Sequence, residues 1–156
     1  MSVSIPPFQR FLDGHREDVY RFLVASVGPQ EADDCFQETL LSALRAYPRL
    51  RARSNLRAWV LTIAHRKALD SHRARARRPL PVAEVRDEVA PTNDHRDEEL
   101  WNAVRELPVK QRTAVVLRFA NDLPHGEIGR VIGCSEEAAR RNVHEGVKTL
   151  REVMTP

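Results

Sequence analysis

The stretch Glu127-Ile128-Gly129-Arg130-Val131-Ile132-Gly133-Cys134-Ser135-Glu136-Glu137-Ala138-Ala139-Arg140-Arg141-Asn142-Val143-His144 decides the reading of this chain. Ile128, Val131 and Ile132 mark the apolar side of a short helix over residues 124–132. Gly133 follows it, and glycine supplies the positive φ that a helix C′ position often needs. Ser135 is a good N-cap for a second helix, and Glu136 and Glu137 fall in its first turn, where negative charge opposes the helix dipole. A short helix, a Gly-centred turn and a second helix carrying Arg and His describe a helix-turn-helix, which lays its second helix in the DNA major groove. Arg140 and Arg141 sit one turn into that helix, where Arg reads guanine through O6 and N7. Ala138 is small enough for close approach, and His144 and Lys148 extend the same face. The predicted contacts are therefore Ser135, Glu136, Glu137, Ala138, Arg140, Arg141, His144 and Lys148. A plain solvated basic face on a bundle helix is the alternative, since Glu136, Glu137 and Glu145 dilute the positive field.

Working outward, residues 100–156 read as one small helical module. Leu100, Trp101, Val104 and Leu107 form a helix cut by Pro108, and a second helix runs from Val109 to about Ala120. Asn121-Asp122 is a turn. The last helix is predicted to bury Ala139, Val143, Val147 or Gly146, Leu150 and Met154. Upstream, Phe8, Phe11, Leu12, Val19, Phe22, Leu23 and Val27 recur at helical spacing, and Gly28-Pro29 ends that helix. The next helix starts near Glu31 and carries Phe36, Leu40, Leu41 and Leu44 on its apolar side. A basic loop from Arg49 to Asn55 leads into a third helix, marked by Leu56, Trp59, Val60, Ile63, Ala64 and Leu69. That helix ends in the run Arg73-Ala74-Arg75-Ala76-Arg77-Arg78 before Pro79. β-Branched alternation is nearly absent, so the fold class is all-α: two small helical domains, 1–78 and 100–156, joined by a flexible acidic linker at 79–99.

Charge supports that division. Residues 1–78 carry 14 Lys/Arg against 8 Asp/Glu, residues 79–99 carry 2 against 7, and residues 100–156 carry 9 against 7. Two basic modules on an acidic tether suit a protein that grips nucleic acid at two places. Extended, the tether spans roughly 70 Å, more than one DNA turn of about 34–36 Å. Asp33, Asp34, Gln37 and Glu38 form an acidic patch on the second helix that repels DNA, and reads either as a solvated face or as a protein-docking surface.

Other classes lose ground on the same residues. Cys35 and Cys134 lie in different modules and read as small buried fillers rather than a disulfide. No Cys/His spacing offers four zinc ligands, so no metal and no cofactor is expected. No apolar run approaches the ~18 residues of a membrane span, and residues 1–7 lack a secretory signal, so no membrane insertion is expected. No nucleophile–base pair or phosphate-cradling glycine loop is present, and the chain does not read as an enzyme. His65 and His72 read as surface contacts or bystanders; Trp59, four residues before Ile63, reads as core more readily than as a base-stacking platform.

Three segments together resemble one family. Ala32-Asp33-Asp34-Cys35-Phe36-Gln37-Glu38-Thr39-Leu40-Leu41-Ser42-Ala43-Leu44 looks like the helix with which extracytoplasmic-function (ECF) sigma factors dock on bacterial RNA polymerase. Asn55-Leu56-Arg57-Ala58-Trp59-Val60-Leu61-Thr62-Ile63-Ala64-His65-Arg66-Lys67-Ala68-Leu69-Asp70 resembles their promoter-melting segment, and the helix-turn-helix resembles their −35-reading domain. The resemblance covers nearly the whole chain in the right order.

It implies a cytoplasmic transcription initiation factor that binds core RNA polymerase and directs it to promoter DNA. Asp34, Gln37, Glu38 and Leu41 would dock on the polymerase. Arg51, Arg53, Ser54, Asn55, Arg57, Trp59, His65, Arg66 and Arg73 would meet the −10 element, where an extruded base needs a pocket beside the strand. An anti-sigma factor is a further partner the resemblance admits. Two departures stand out: the family often has Asn where Arg66 stands and a basic residue where Glu145 stands. Two rival functions share the motifs, a stand-alone helix-turn-helix regulator and a sigma mimic that titrates an anti-sigma factor.

Overall fold

The computed structural model describes residues 5–51, 55–77 and 95–155. Every regular element among them is helical: α1 (Phe8–Val27), α2 (Pro29–Ala46), a 3₁₀ turn (Tyr47–Arg49), α3 (Leu56–Arg77), α4 (His95–Arg105), α5 (Val109–Phe119), α6 (His125–Ile132) and α7 (Glu136–Met154). None of these helices is long and apolar enough to cross a membrane.

Helices α1, α2 and α3 pack on one another around Phe11, Val19, Phe22, Leu23, Val60, Leu61 and Ala64, all buried. Gly28, at φ 87°, ends α1 by donating its N–H to the Val24 carbonyl, and Pro29 then opens α2, where its missing N–H costs no helical hydrogen bond. The buried stripe of α2 is made of small residues, Ala32, Cys35, Thr39 and Ala43. Thr39 returns its hydroxyl to the Cys35 carbonyl at 2.7 Å, so α2 brings no unpaired polar group to that contact. This corrects the predicted apolar side of α2. The small residues let the helix lie close to its neighbours, and Leu41 and Leu44 are left about half exposed. At the other end of the bundle, Phe8, Phe11, Tyr47 and Trp59 form a ring cluster. Tyr47 lies 5.2 Å from both Phe8 and Phe11, and Trp59 lies 5.8 Å from Phe11.

The second bundle buries Val104, Leu107, Val115, Val116, Leu117, Leu123, Ile128, Val131, Ala139, Val143 and Leu150. Gly146 is the buried residue of α7 at its turn, while Met154, predicted to be core, is exposed at the end of the helix. Helix α4 begins at His95, so residues 95–99, predicted to be linker, are helical. Asp97 and Glu98 lie in its first turn, where acids complement the helix dipole, and this is why the acidic run continues into a helix. The rest of the predicted linker, residues 79–94, lies outside the described residues.

The two bundles touch, which the picture of separate bodies on a tether did not anticipate. Helix α3 lies against α6, and α1 lies against α4 and α5.

Candidate nucleic-acid interface

The helix-turn-helix is built by local backbone geometry. Gly133 sits at φ 86°, ψ 40°, the left-handed region, and the N–H groups of Gly133 and Cys134 both reach the Gly129 carbonyl, at 2.7 and 2.8 Å. These bonds close α6 and turn the chain toward α7. Gly129 itself is a requirement that the sequence pattern left unnoticed: a Cβ there would stand 2.5 Å from the Cys134 carbonyl oxygen. Ser135 accepts the Ala138 N–H on its hydroxyl at 3.1 Å, the cap expected of it. Pro124 precedes α6 without a side-chain cap bond.

Helix α7 then buries Ala139, Val143, Gly146 and Leu150, and on its outer side presents Glu136, Glu137, Arg140, Arg141, His144 and Lys148 exposed, with Ala138 half-buried among them. The eight predicted contacts are therefore gathered on one helix and its cap. Arg140 leans on Glu136 at 3.4 Å, an exposed pair one turn apart that a phosphate or base can displace at little cost. His125 at the start of α6 borders the same groove as Arg140, His144, Lys148 and Arg151. Partial desolvation, then the charges of Arg118 and Arg140, lower the His125 pKa.

The residues predicted to meet the −10 element fall into three groups. Arg51, Arg66 and Arg73 are exposed. Arg53 and Ser54 lie outside the described residues. Asn55, Arg57 and Trp59, all half-buried, and the buried His65 are engaged with other parts of the protein. Asn55 caps α3, its Oδ1 accepting the Ala58 N–H at 3.1 Å, while its Nδ2 donates to Glu127 Oε1 at 3.0 Å. Arg57 donates from Nε to Asp18 Oδ2 at 2.7 Å and from Nη2 to Asp18 Oδ1 at 3.3 Å, and Nη2 also reaches the Asn121 carbonyl. Trp59 belongs to the ring cluster and packs, half-buried, against the core.

His65, read from the sequence as a surface contact, is only 8% exposed. Burial, then the charges of Arg112 and Arg66, push its pKa down to about 4. His72 falls to about 4 as well, through burial and Arg112, with a backbone hydrogen bond to Ser26 opposing and Arg75 adding. Both imidazoles are therefore neutral at pH 7.

Sequence reasoning missed Asp18, Asn121 and Arg112. Asn121 is 1% exposed, and its Nδ2 donates to both the backbone and side-chain oxygens of Asp18 at 2.8 Å. Burial raises the Asp18 pKa, but hydrogen bonds from Arg57 and Asn121 and the charges of Arg57 and Arg21 outweigh it and hold the carboxyl below its ordinary range. Arg112 is 7% exposed on α5 and donates to the Arg105 carbonyl at 3.0 Å. Asn121 read only as a turn residue, because its partner Asp18 lies across the molecule, beyond any local pattern, and the sequence reading gave Arg112 no role of its own.

On α2, Asp34, Gln37, Glu38 and Leu41 are all exposed and stand at i, i+3, i+4 and i+7, which places them on one face. An acidic, partly apolar strip of this kind repels DNA phosphates and suits contact with a protein.

The Sigma-70 region 2 family matches residues 11–78, and the Sigma-70, region 4 family matches residues 97–150. The ECF RNA polymerase sigma factor SigC of Mycobacterium tuberculosis (strain CDC 1551 / Oshkosh) is 30% identical over 141 residues, covering 86% of this chain and 76% of that protein. The ECF RNA polymerase sigma factor SigX of Bacillus subtilis (strain 168) is 27% identical over 163 residues, covering 94% and 83%. Among solved structures, the sigma factor RpoE in complex with the anti-sigma factor NepR from Bartonella quintana superposes with a TM-score of 0.76 at 22% identity, covering 94% of this chain and 96% of that one. CnrH in complex with the cytosolic domain of CnrY gives 0.71 at 16% identity, covering 94% and 86%. At those identities the two structures support the fold.

Proposed function

The chain belongs to the ECF RNA polymerase sigma factors, and from that premise we propose how its surfaces divide the work. It is a transcription initiation factor that binds core RNA polymerase and directs it to promoters, so its partners are the polymerase and promoter DNA. Residues 1–78 form the polymerase-docking and −10 module, and residues 100–156, with α4 reaching back to His95, form the −35 module. On α7, Arg140, Arg141, His144 and Lys148 enter the −35 major groove, with Ser135 to Ala138 at its mouth. Asn55, Arg57, Arg66 and Arg73 line the −10 strand. Asp34, Gln37, Glu38 and Leu41 dock on core polymerase. The chain itself performs no bond chemistry; the polymerase does. The cytoplasm is the compartment in which that partner works. Solved sigma factors of this fold carry anti-sigma factors, and a partner of that kind fits this chain too.

One observation carries the reading: a helix-turn-helix with an exposed basic face and an exposed acidic–apolar face on α2 occur on opposite halves of one chain. A stand-alone regulator has no use for the second surface, and a sigma mimic has no use for the first. A mobility-shift assay on a promoter fragment separates the three. The sigma reading expects weak binding by the chain alone and a stable complex once core polymerase is added. Tight binding without polymerase points to the stand-alone regulator, and no promoter binding under either condition points to the mimic.

A further inference from the structure

A groove of about 1120 Å³ runs along α1 where it meets α2, α4 and α5. Small-molecule sites occupy roughly 300–1,000 Å³, so a drug-sized or nucleotide-sized ligand fits with room to spare. Arg16, Tyr20, Arg21 and Val24 line it from α1, at spacings that put them on one helical face. The groove shares no residue with the DNA- and polymerase-facing surfaces proposed above.

Four aromatic rings open onto it. Tyr20 and Phe36 stand edge to face with centroids 5.5 Å apart, and the Tyr20 hydroxyl donates to Asp33 Oδ1 at 3.0 Å, which fixes that wall. Phe119, the last residue of α5, is 63% exposed, and Trp101 on α4 is half-buried. Neither of these two has a ring partner among the described residues. Rings left open around one cavity make a contiguous apolar surface, the kind that marks a ligand groove. Three guanidinium groups stand among them. Arg16 is exposed and has no polar partner among the described residues. Arg21 makes only long contacts, to the Ala120 carbonyl at 3.4 Å and to Asp18 at 3.7 Å. Arg105 donates to neutral oxygens, Asn102 Oδ1 at 2.8 Å and the Val24 carbonyl at 3.2 Å, and forms no ion pair among the described residues. Two carboxylates share the groove, Glu17 and Asp33, and Asp33 is already engaged by Tyr20. The balance is positive. Open rings beside unneutralised guanidinium groups match a ligand that is flat at one end and anionic at the other, because bases stack on aromatic faces and guanidinium forks grip phosphate.

We propose that this groove binds a nucleoside phosphate, its base stacked on Trp101 and Phe119 and its phosphates held by Arg16 and Arg21, with Arg105 adding positive charge at the wall. Ring and anion are both required: a bare polyphosphate offers the aromatic residues nothing, and an uncharged nucleoside offers the arginines nothing.

The test titrates the full chain with ATP and GTP as probes, read by calorimetric heat and by quenching of tryptophan fluorescence. Trp59 is the other tryptophan, so loss of the quench in Trp101→Phe identifies the reporting ring. The expected result is saturable one-to-one binding, at least about tenfold weaker for adenosine and for inorganic triphosphate. Phe119→Ala and Arg16→Glu change exposed positions, should keep the helical circular dichroism, and are each expected to weaken nucleotide binding about tenfold. Arg130→Glu makes the same charge change on α6, outside the groove, and should bind as wild type. The proposal is overturned if neither nucleotide binds saturably, if inorganic triphosphate binds as tightly as ATP, or if Phe119→Ala and Arg16→Glu both bind like Arg130→Glu. A chain that takes no nucleotide but elutes as a dimer, and as a monomer with Phe119→Ala, gives the face to a second copy and overturns it as well.

Discussion

At the scale of single residues, the turn of the helix-turn-helix is the most legible feature and Gly129 the most instructive omission. Gly133 and Ser135 were readable because positive φ and N-capping have known residue preferences. Gly129 was not, because its need comes from the carbonyl of another residue folded against it rather than from its own φ; it is an ordinary helical position except that the Cys134 carbonyl stands where a side chain would go. Gly129→Ala is expected to destabilise the protein by about 1–3 kcal/mol, through the strain of overpacking, as a lower urea midpoint. Ser135→Ala should cost about 1 kcal/mol by the same measurement, the usual loss for an N-cap. The buried histidines give a pH dependence with a definite sign. His65 and His72 have pKa values near 4 when folded against an ordinary 6.5, so the unfolded chain takes up more protons between those limits. Stability should fall as pH is lowered from about 6.5 toward 4. Arg112 on α5 faces both rings, with Arg66 and Arg75 on α3 and the Ser26 backbone on α1, and no carboxylate among these offsets the new charge. Asp18 acts in a lower window: its pKa is depressed, so its contribution persists until pH falls below the ordinary carboxylate range. Urea midpoints at pH 7 and pH 5 check this, and equal midpoints would mean the histidines are hydrated. The burial of His65 was not legible because on α3 alone it lies beside Arg66 and reads as part of a basic face.

At the scale of elements, helix existence and ends followed from apolar spacing and from Gly28-Pro29, Pro108 and Gly133, which act locally. Which face of a helix is buried was less readable. On α2 the large apolar residues drew the eye to Leu41 and Leu44, but the helix packs through Ala32, Cys35, Thr39 and Ala43, and small residues carry little weight in a hydrophobic pattern. That inversion has a functional reading, since it leaves Leu41 beside Asp34, Gln37 and Glu38 on an outward strip. Leu41→Ser should leave the unfolding free energy from urea melts nearly unchanged, within about 0.5 kcal/mol, as for other surface positions. Asp34→Lys with Glu38→Lys should likewise melt as wild type yet abolish association with core polymerase in a pull-down, while leaving duplex binding unchanged or stronger. Retained association would remove the docking strip from α2. On α7, Arg141→Ala should weaken −35 duplex binding; a base contact is expected to cost about 1–3 kcal/mol and relax specificity at one position, whereas a phosphate contact lowers affinity evenly across sequences.

At the scale of the whole molecule, two helical bundles and their charge asymmetry were visible in the residues, but their mutual contact was not. Asp18, Asn121 and Arg57 are separated by tens of residues, and nothing in the local spacing of any of them announces the other two. The acidic stretch hid the start of α4 for a related reason, since carboxylates suit both a solvated tether and the first turn of a helix. What joins the scales is that each bundle presents its own exposed surface, one basic on α7 and one acidic on α2, and the proposed function gives each to a different macromolecule. The most direct measurement is run-off transcription with the purified chain, core RNA polymerase and a promoter template of this sigma class. The expected result is a discrete transcript that requires the chain and disappears with the Asp34→Lys, Glu38→Lys variant. A transcript of equal yield without the chain, or with that variant, would contradict the account.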